Sequence, residues 1–198
     1  MKVGESLRRP DGVAKVHGSF GYSSDLHADG MLWGATVRSP HPHARLVSID
    51  ASAARVMPGV HAVLTHEDVP GEKLYGLEIA DQPVLAIGEV NYWGEAVALV
   101  AAEHPEQARR AAAAVKVEYE VLPPVTRAEE GRVLRHVKIR HGDQDPHAEV
   151  VVKGEYEIGM QDQAPLGPES GLAIPDGQGG VDLHIATQWL HVDQQQLA

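Results

Sequence analysis

"DQPVLAIGEVNYWGEAVALVAAEHPEQARRAAAAVKVEYEVLP", residues 81–123, carries the strongest structural signal in the chain. A short apolar segment opens it. Ala96 to Ala101 then forms an unbroken apolar run, the pattern of a strand buried on both faces. "HPEQARRAAAAVKV" follows. Pro105 suits a first helical turn, where a missing N–H costs nothing. Glu106 suits the positive end of the helix dipole. Four alanines after Arg109 and Arg110 supply high helix propensity. From Val115 the period changes to two. Val115, Val117, Tyr119 and Val121 fall on one face of a strand, with Lys116, Glu118 and Glu120 on the other.

Working back from that block, "VHAVLT" (60–65) is a β-rich run, and "HEDVPG" (66–71) reads as one helical turn. "ASAARVM" (51–57) reads as a short helix stopped by Pro58-Gly59. "ARLVSID" (44–50) and "MLWGATVRS" (31–39) are strand-like. The "PHPH" between them is a loop, because two prolines in four residues break any ladder. Residues 1–30, rich in Gly and charge, read as an extended lead-in.

Working forward, residues 124–148 mix charge with two prolines and no long periodicity, the character of a surface linker. "EVVVKGEYEIG" (149–159) reads as a strand, "LAIP" (172–175) as another, "DGQGG" as a turn and "VDLHIAT" (181–187) as a third. Trp189, Leu190, Val192 and Leu197 are then spaced as on a helix, and the sequence stops inside it. Three strands and half a helix are too few to bury their own faces. Strands and helices in this irregular order predict an α+β fold rather than a regular βαβ array.

Composition narrows the functional classes. The net charge of −11 argues against nucleic acid or an anionic membrane as partner. Zero cysteines exclude disulfides, a thiol nucleophile and Cys-ligated zinc or iron–sulfur clusters on these residues. No run of apolar residues is long enough to span a bilayer, and the opening residues lack a secretory pattern, so the expected location is cytoplasmic. Twelve His include His41 and His43 in "HPH", but no HExxH or second cluster joins them. They read as solvated loop residues, with no metal site. "GVAKVHGSFG" and "DGQGG" lack phosphate-loop order and read as turns.

One stretch stands out chemically. "GMQDQAPLGPESGL" (159–172) presents Gln161, Asp162, Gln163 and Glu169 on a segment stiffened by proline. It reads either as a site for a polar ligand or as a long surface connection. Gln188, just past a strand end, has the same two readings.

Several stretches together resemble one family. "VRSPHPHARLVSIDASAARVMPGVHAVLTHEDVPG", the block at 81–123 and "VVKGEYEIGMQDQAPLGPESGLAIP…VDLHIATQWLH" occur in the right order. They are similar to the large, molybdenum-binding subunit of xanthine dehydrogenase and aldehyde oxidase type enzymes. The lead-in "VGESLRRPDGVAKVHGSFGYSSDL" also fits. The resemblance implies an a/b hammerhead domain at 15–125, after a lead-in at 1–14 and before a linker at 126–148. Residues 149–198 would be the incomplete start of a molybdopterin-binding domain. It implies an N-terminal piece of a larger oxidoreductase subunit, inactive by itself. The family's catalytic Glu base and Gly-rich cofactor loop would lie beyond residue 198.

The same resemblance assigns a few residues and partners. Gln188 matches the Gln of the family's "TQ", which lies beside the molybdenum oxo group and can donate to it without adding charge. Gly167 stands where the family often has Glu in "PLEP", beside the substrate pocket, and Glu169 is a candidate substitute. The cofactor would be molybdopterin, the substrate a purine or aldehyde, and the partners iron–sulfur and FAD subunits or domains. The reaction would be hydroxylation with water-derived oxygen, as in purine catabolism. Two alternatives stand beside it: a non-enzymatic hammerhead scaffold or interaction module, and one chain of a split enzyme completed by a partner. Homo-oligomerisation is compatible with each.

Overall fold

The computed structural model describes residues 3–142, 149–159, 161–165, 167 and 169–198. The chain divides into two compact units, Met1–Leu122 with Pro165–Ala198, and Pro123–Ala164.

The first unit opens with helix α1 (Gly12–Val16) and a single 3-10 turn at Ser23–Asp25. Strands β1 (Trp33–Arg38) and β2 (Ala44–Asp50), helix α2 (Ser52–Arg55) and strand β3 (Val60–Leu64) follow. Three two-residue strands come next: β4 (Leu74–Tyr75), β5 (Gln82–Pro83) and β6 (Glu89–Val90). The decisive block then gives β7 (Ala96–Ala102), α3 (Pro105–Ala114) and β8 (Lys116–Val121). After the second unit the chain returns with β9 (Gly171–Pro175), β10 (Val181–Ile185) and helix α4 (Leu190–Leu197).

β7 is the centre of an antiparallel sheet ordered β1-β7-β3. The register sets Val37 against Ala98 and Val63 against Val100. A second antiparallel sheet is ordered β6-β2-β8. Ala51, Ala54, Val63, Val100, Ala111 and Val115 form one buried cluster, and Ala44, Ala86, Val90 and Val97 another. Ile49 and Val117 pack against both, so β2 and β8 join the two clusters. With so few aromatics, this core is built from Val and Ala. Ala54, Ala108 and Ala111 are fully buried, and their small side chains let the helices lie close to their neighbours.

α3 forms for the reasons its sequence gives. The His104 ring accepts the Glu106 N–H at 3.2 Å, Pro105 occupies the first turn, and Glu106 accepts from Arg109 and Arg110. Ala108 and Ala111 are the buried stripe, while Ala113 is exposed. Just before β7, Gly94 at φ +86° closes a tight turn. Buried Glu95 satisfies the backbone of that turn by accepting the Asn91 N–H.

Several expectations need correction. The lead-in is not uniformly extended: α1 and the 3-10 turn interrupt it. The "HEDVPG" segment makes a hydrogen-bonded turn instead of a helix. The Asp68 carboxylate accepts the Thr65 N–H at 2.8 Å and thereby ends β3. No strand forms at 149–159. Val150, Val151, Val152, Tyr156 and Ile158 are exposed, and a lone alternating segment without a ladder partner stays irregular.

The second unit, taken by itself, contains a 3-10 turn at Ala128–Glu130 and, among the described residues, no strand. The linker reading for 143–148 lies outside the described residues, as do Met160, Leu166 and Pro168 of the polar stretch.

Candidate functional site

β9 and β10 form a two-stranded antiparallel hairpin with Gly171 opposite Ile185. That pairing fixes where the candidate residues emerge. Gly167, Glu169 and Ser170 precede β9, and Thr187 and Gln188 follow β10, so both groups leave the same end of the hairpin. At the opposite end the Asp176 carboxylate accepts the Gln178 and Gly180 N–H groups at 2.7 and 2.8 Å. Those two backbone donors hold its pKa below the usual carboxylate value and pin the turn.

The junction from β10 into α4 is braced by side chains. The Thr187 hydroxyl accepts the Trp189 N–H at 3.0 Å and donates to the Asp193 carboxylate. The Val192 and Asp193 N–H groups donate to the Trp189 carbonyl at 2.8 and 3.0 Å, which starts the helix. Gln188 sits inside this brace, exposed, between Thr187 and the Trp189 whose N–H Thr187 binds. Its carboxamide is a neutral donor on fixed backbone, a chemistry suited to an oxygen ligand of a bound anionic group.

On the other arm Gly167 and Glu169 are exposed. A Cβ placed on Gly167 would meet nothing within 4 Å, so packing does not enforce glycine there. Ser170 is tied down: its hydroxyl lies 2.7 Å from that of Ser23, which belongs to the lead-in.

His41 and His43 stand apart from this site. The His41 ring packs edge-on to Tyr119 with centroids 5.0 Å apart, and His43 lies 3.9 Å from Glu89. His41 is therefore a packing residue, half-buried rather than fully solvated. Burial raises the Tyr119 pKa above its ordinary value, with the Ser39 hydrogen bond working in the opposite sense. Among the described residues, no three His, Cys, Asp or Glu converge as a metal site. A groove of about 520 Å³ on the hammerhead side, lined by Ser48, Arg55, His66 and Glu67, includes none of the expected site residues.

Sequence reasoning does not single out Thr187, Asp193, Ser23 or Ser170. The first pair has a local signal, a hydroxyl two residues before the first helical N–H donors. The serines, 147 residues apart, have none.

Comparison with known proteins identifies the family of both segments. Residues 17–123 match the family described as "Aldehyde oxidase and xanthine dehydrogenase, a/b hammerhead domain". Residues 126–198 match "Molybdopterin cofactor-binding domain". The chain is 38% identical to a probable xanthine dehydrogenase subunit from Bacillus subtilis, over 96% of this chain and 28% of that protein. It is 30% identical to the nicotinate dehydrogenase large molybdopterin subunit of Eubacterium barkeri, over 99% of this chain and 50% of that subunit. Among solved structures, the aldehyde oxidoreductase from Desulfovibrio gigas superposes with a TM-score of 0.55 at 39% identity. That match covers 58% of this chain and 14% of that one. The chain thus spans half or less of the length of each of these relatives. Among the described residues, no helix is long and apolar enough to cross a membrane.

Proposed function

The chain belongs to the aldehyde oxidase and xanthine dehydrogenase family, and from that premise we propose that it works as the hammerhead and cofactor-domain opening of a molybdenum hydroxylase large subunit. The observation that carries this reading is the hairpin register. It brings Gln188 on one arm and Gly167 and Glu169 on the other to one end of β9–β10. Gln188 would hold the cofactor by donating from its carboxamide, and Glu169 and Gly167 would border the substrate pocket.

The braced, exposed amide of Gln188 fits such a group, since a neutral donor meets an oxygen ligand without an ion pair. The molybdopterin cofactor, when bound, supplies the two-electron acceptor for hydroxylation of a purine or aldehyde carbon. This chain's residues bind and orient. The Thr187–Asp193 brace holds the backbone on either side of Gln188, and the open space at Gly167 leaves room for a bulkier substrate than a Glu there would. No general base is assigned among these residues, so the chain alone is expected to be inactive. Iron–sulfur and FAD subunits or domains would carry the electrons onward.

Completion by further polypeptide, in the same chain or a partner, is supported by the hairpin itself. Val181, Leu183 and Ile185 share one face and are exposed, and among the described residues no further strand pairs with either hairpin edge. Native mass spectrometry with molybdenum analysis of the protein from its own cells tests the reading. A molybdenum-bearing oxidoreductase assembly is the expected result. A metal-free species with no such activity refutes it in favour of a scaffold.

A further inference from the structure

The lead-in is held together by a continuous set of contacts. Asp11 pairs with Arg9 and, at 2.7 Å, with Lys15. The Lys15 ammonium lies 4.5 Å from the Phe20 ring centroid and 5.8 Å from that of Tyr22. Phe20 and Tyr22 meet edge-to-face at 5.0 Å. The Tyr22 N–H donates to the Asp25 carboxylate at 3.0 Å, which fixes the 3-10 turn carrying Ser23. The Phe20 and Ser19 N–H groups both donate to the Ala14 carbonyl, which joins α1 to the aromatic pair. Each exposed ion pair is weak alone, but here they share residues and converge on a single turn.

From that turn a side chain reaches across to the hairpin. Ser23 and Ser170, both half-buried, share a 2.7 Å hydroxyl hydrogen bond. Ser170 directly follows Glu169 and directly precedes β9. From this geometry we infer that residues 9–25 form a strap that positions the substrate-side residues Gly167 and Glu169, with Ser23–Ser170 as its fastening. Ser23 is a positioning residue that acts through Ser170. The inference rests on the reading of Gly167 and Glu169 as pocket residues, and it deepens that reading. Residues 9–16, which precede the hammerhead match beginning at residue 17, thereby gain a role in substrate affinity alongside Ser23.

The test has two arms. The first uses the 198-residue chain and hydrogen exchange. Loss of one hydroxyl hydrogen bond in Ser23→Ala should accelerate exchange at residues 169–173 about threefold to tenfold. Exchange in β1, β3 and β7 should be unchanged, and Ser23→Thr should restore protection. Adding Ser170→Ala to Ser23→Ala should add nothing further. Unaltered exchange at 169–173 in Ser23→Ala overturns the strap, whatever the protein's activity. The second arm places Ser23→Ala in the cofactor-loaded enzyme, where KM should rise more than kcat falls. Faster exchange with KM untouched would overturn the positioning role, while KM unchanged in Glu169→Ala as well would overturn the assignment of Glu169 to the pocket.

Discussion

Two alanines of α3 offer a controlled test of the core. Ala111 is fully buried against β7 and α2, while Ala113 on the same helix is exposed. Leu has nearly the helix propensity of Ala, so Ala→Leu at either site leaves the helix itself almost unaffected. At position 111 the three added carbon atoms must enter a cluster that already packs Ala51, Ala54, Val63, Val100 and Val115. Overpacking of this kind costs about 1–3 kcal/mol. At position 113 the new side chain stays in water, and the change should be within about 0.5 kcal/mol. With a urea m-value of about 2 kcal/mol/M, Ala111→Leu should lower the unfolding midpoint by about 0.5–1.5 M. Ala113→Leu should move it by less than about 0.3 M. The assay is urea denaturation followed by far-UV circular dichroism, with m compared across variants. Equal midpoints for the two variants, or a more stable Ala111→Leu, would refute the burial of this helix face.

Further expectations follow from other contacts. Glu95→Ala removes the buried acceptor of the Asn91 N–H and should cost about 0.5–1.5 kcal/mol, whereas Glu95→Gln, which keeps an oxygen acceptor, should cost less; urea midpoints decide it. Gly76→Ala would drive a Cβ into the Ile79 carbonyl oxygen, so it should destabilise the β4–β5 hairpin, seen as lost amide protection at Tyr75 and Gln82. Arg109, then Arg110, hold the Glu106 pKa below its ordinary value. A depressed folded-state carboxylate gives stability that is present above the unfolded pKa of about 4.3 and is lost as pH falls through the lower, folded value. Wild type should therefore lose more stability than Glu106→Gln on acidification below about pH 5. Parallel acid profiles of the two would contradict the pairing. Thr187→Val removes the acceptor for the Trp189 N–H and the link to Asp193, and amide exchange at Val192 and Asp193 should rise about fivefold for hydrogen bonding worth ~1 kcal/mol.

The sequence is legible where a segment's own pattern decides its state. β7, α3 and β8 form within a residue or two of their expected bounds because burial run, caps and alternation all agree. Residues 149–159 show the limit. Their alternation is as regular as that of β8, but β8 has β2 beside it, with Ile49 opposite Val117, and 149–159 has no described partner. A period of two states what a strand would bury, not whether a ladder exists. The short strands β4, β5 and β6 are illegible for the opposite reason, since two residues carry no period at all. At the candidate site, Gln188 is visible because a strand end meets a helix start there. Its brace and the Ser23–Ser170 tether depend on tertiary placement that no spacing encodes.

The distribution of burial separates two kinds of contribution. Among the described residues, every fully buried hydrophobic residue lies between Ala44 and Val115, inside the hammerhead match. Each buried valine there contributes about 1.5–3 kcal/mol, so the chain's cooperative stability resides in that part. The hairpin that carries the candidate residues buries almost nothing. Leu183, Ile185, Trp189, Leu190 and Leu197 all face solvent. Its order comes instead from polar fastenings: Asp176 at one end, Thr187 with Asp193 at the other, and Ser170 on Ser23. Such fastenings fix direction at about 1 kcal/mol each and add little global stability. Substitutions at these positions should therefore change the local exchange of the hairpin while leaving the urea midpoint of the hammerhead core in place. Core substitutions such as Ala111→Leu should lower the midpoint and take the hairpin with them. A variant such as Thr187→Val that lowered the global midpoint as much as Ala111→Leu would show that the hairpin belongs to the same cooperative unit, and would overturn this division of roles.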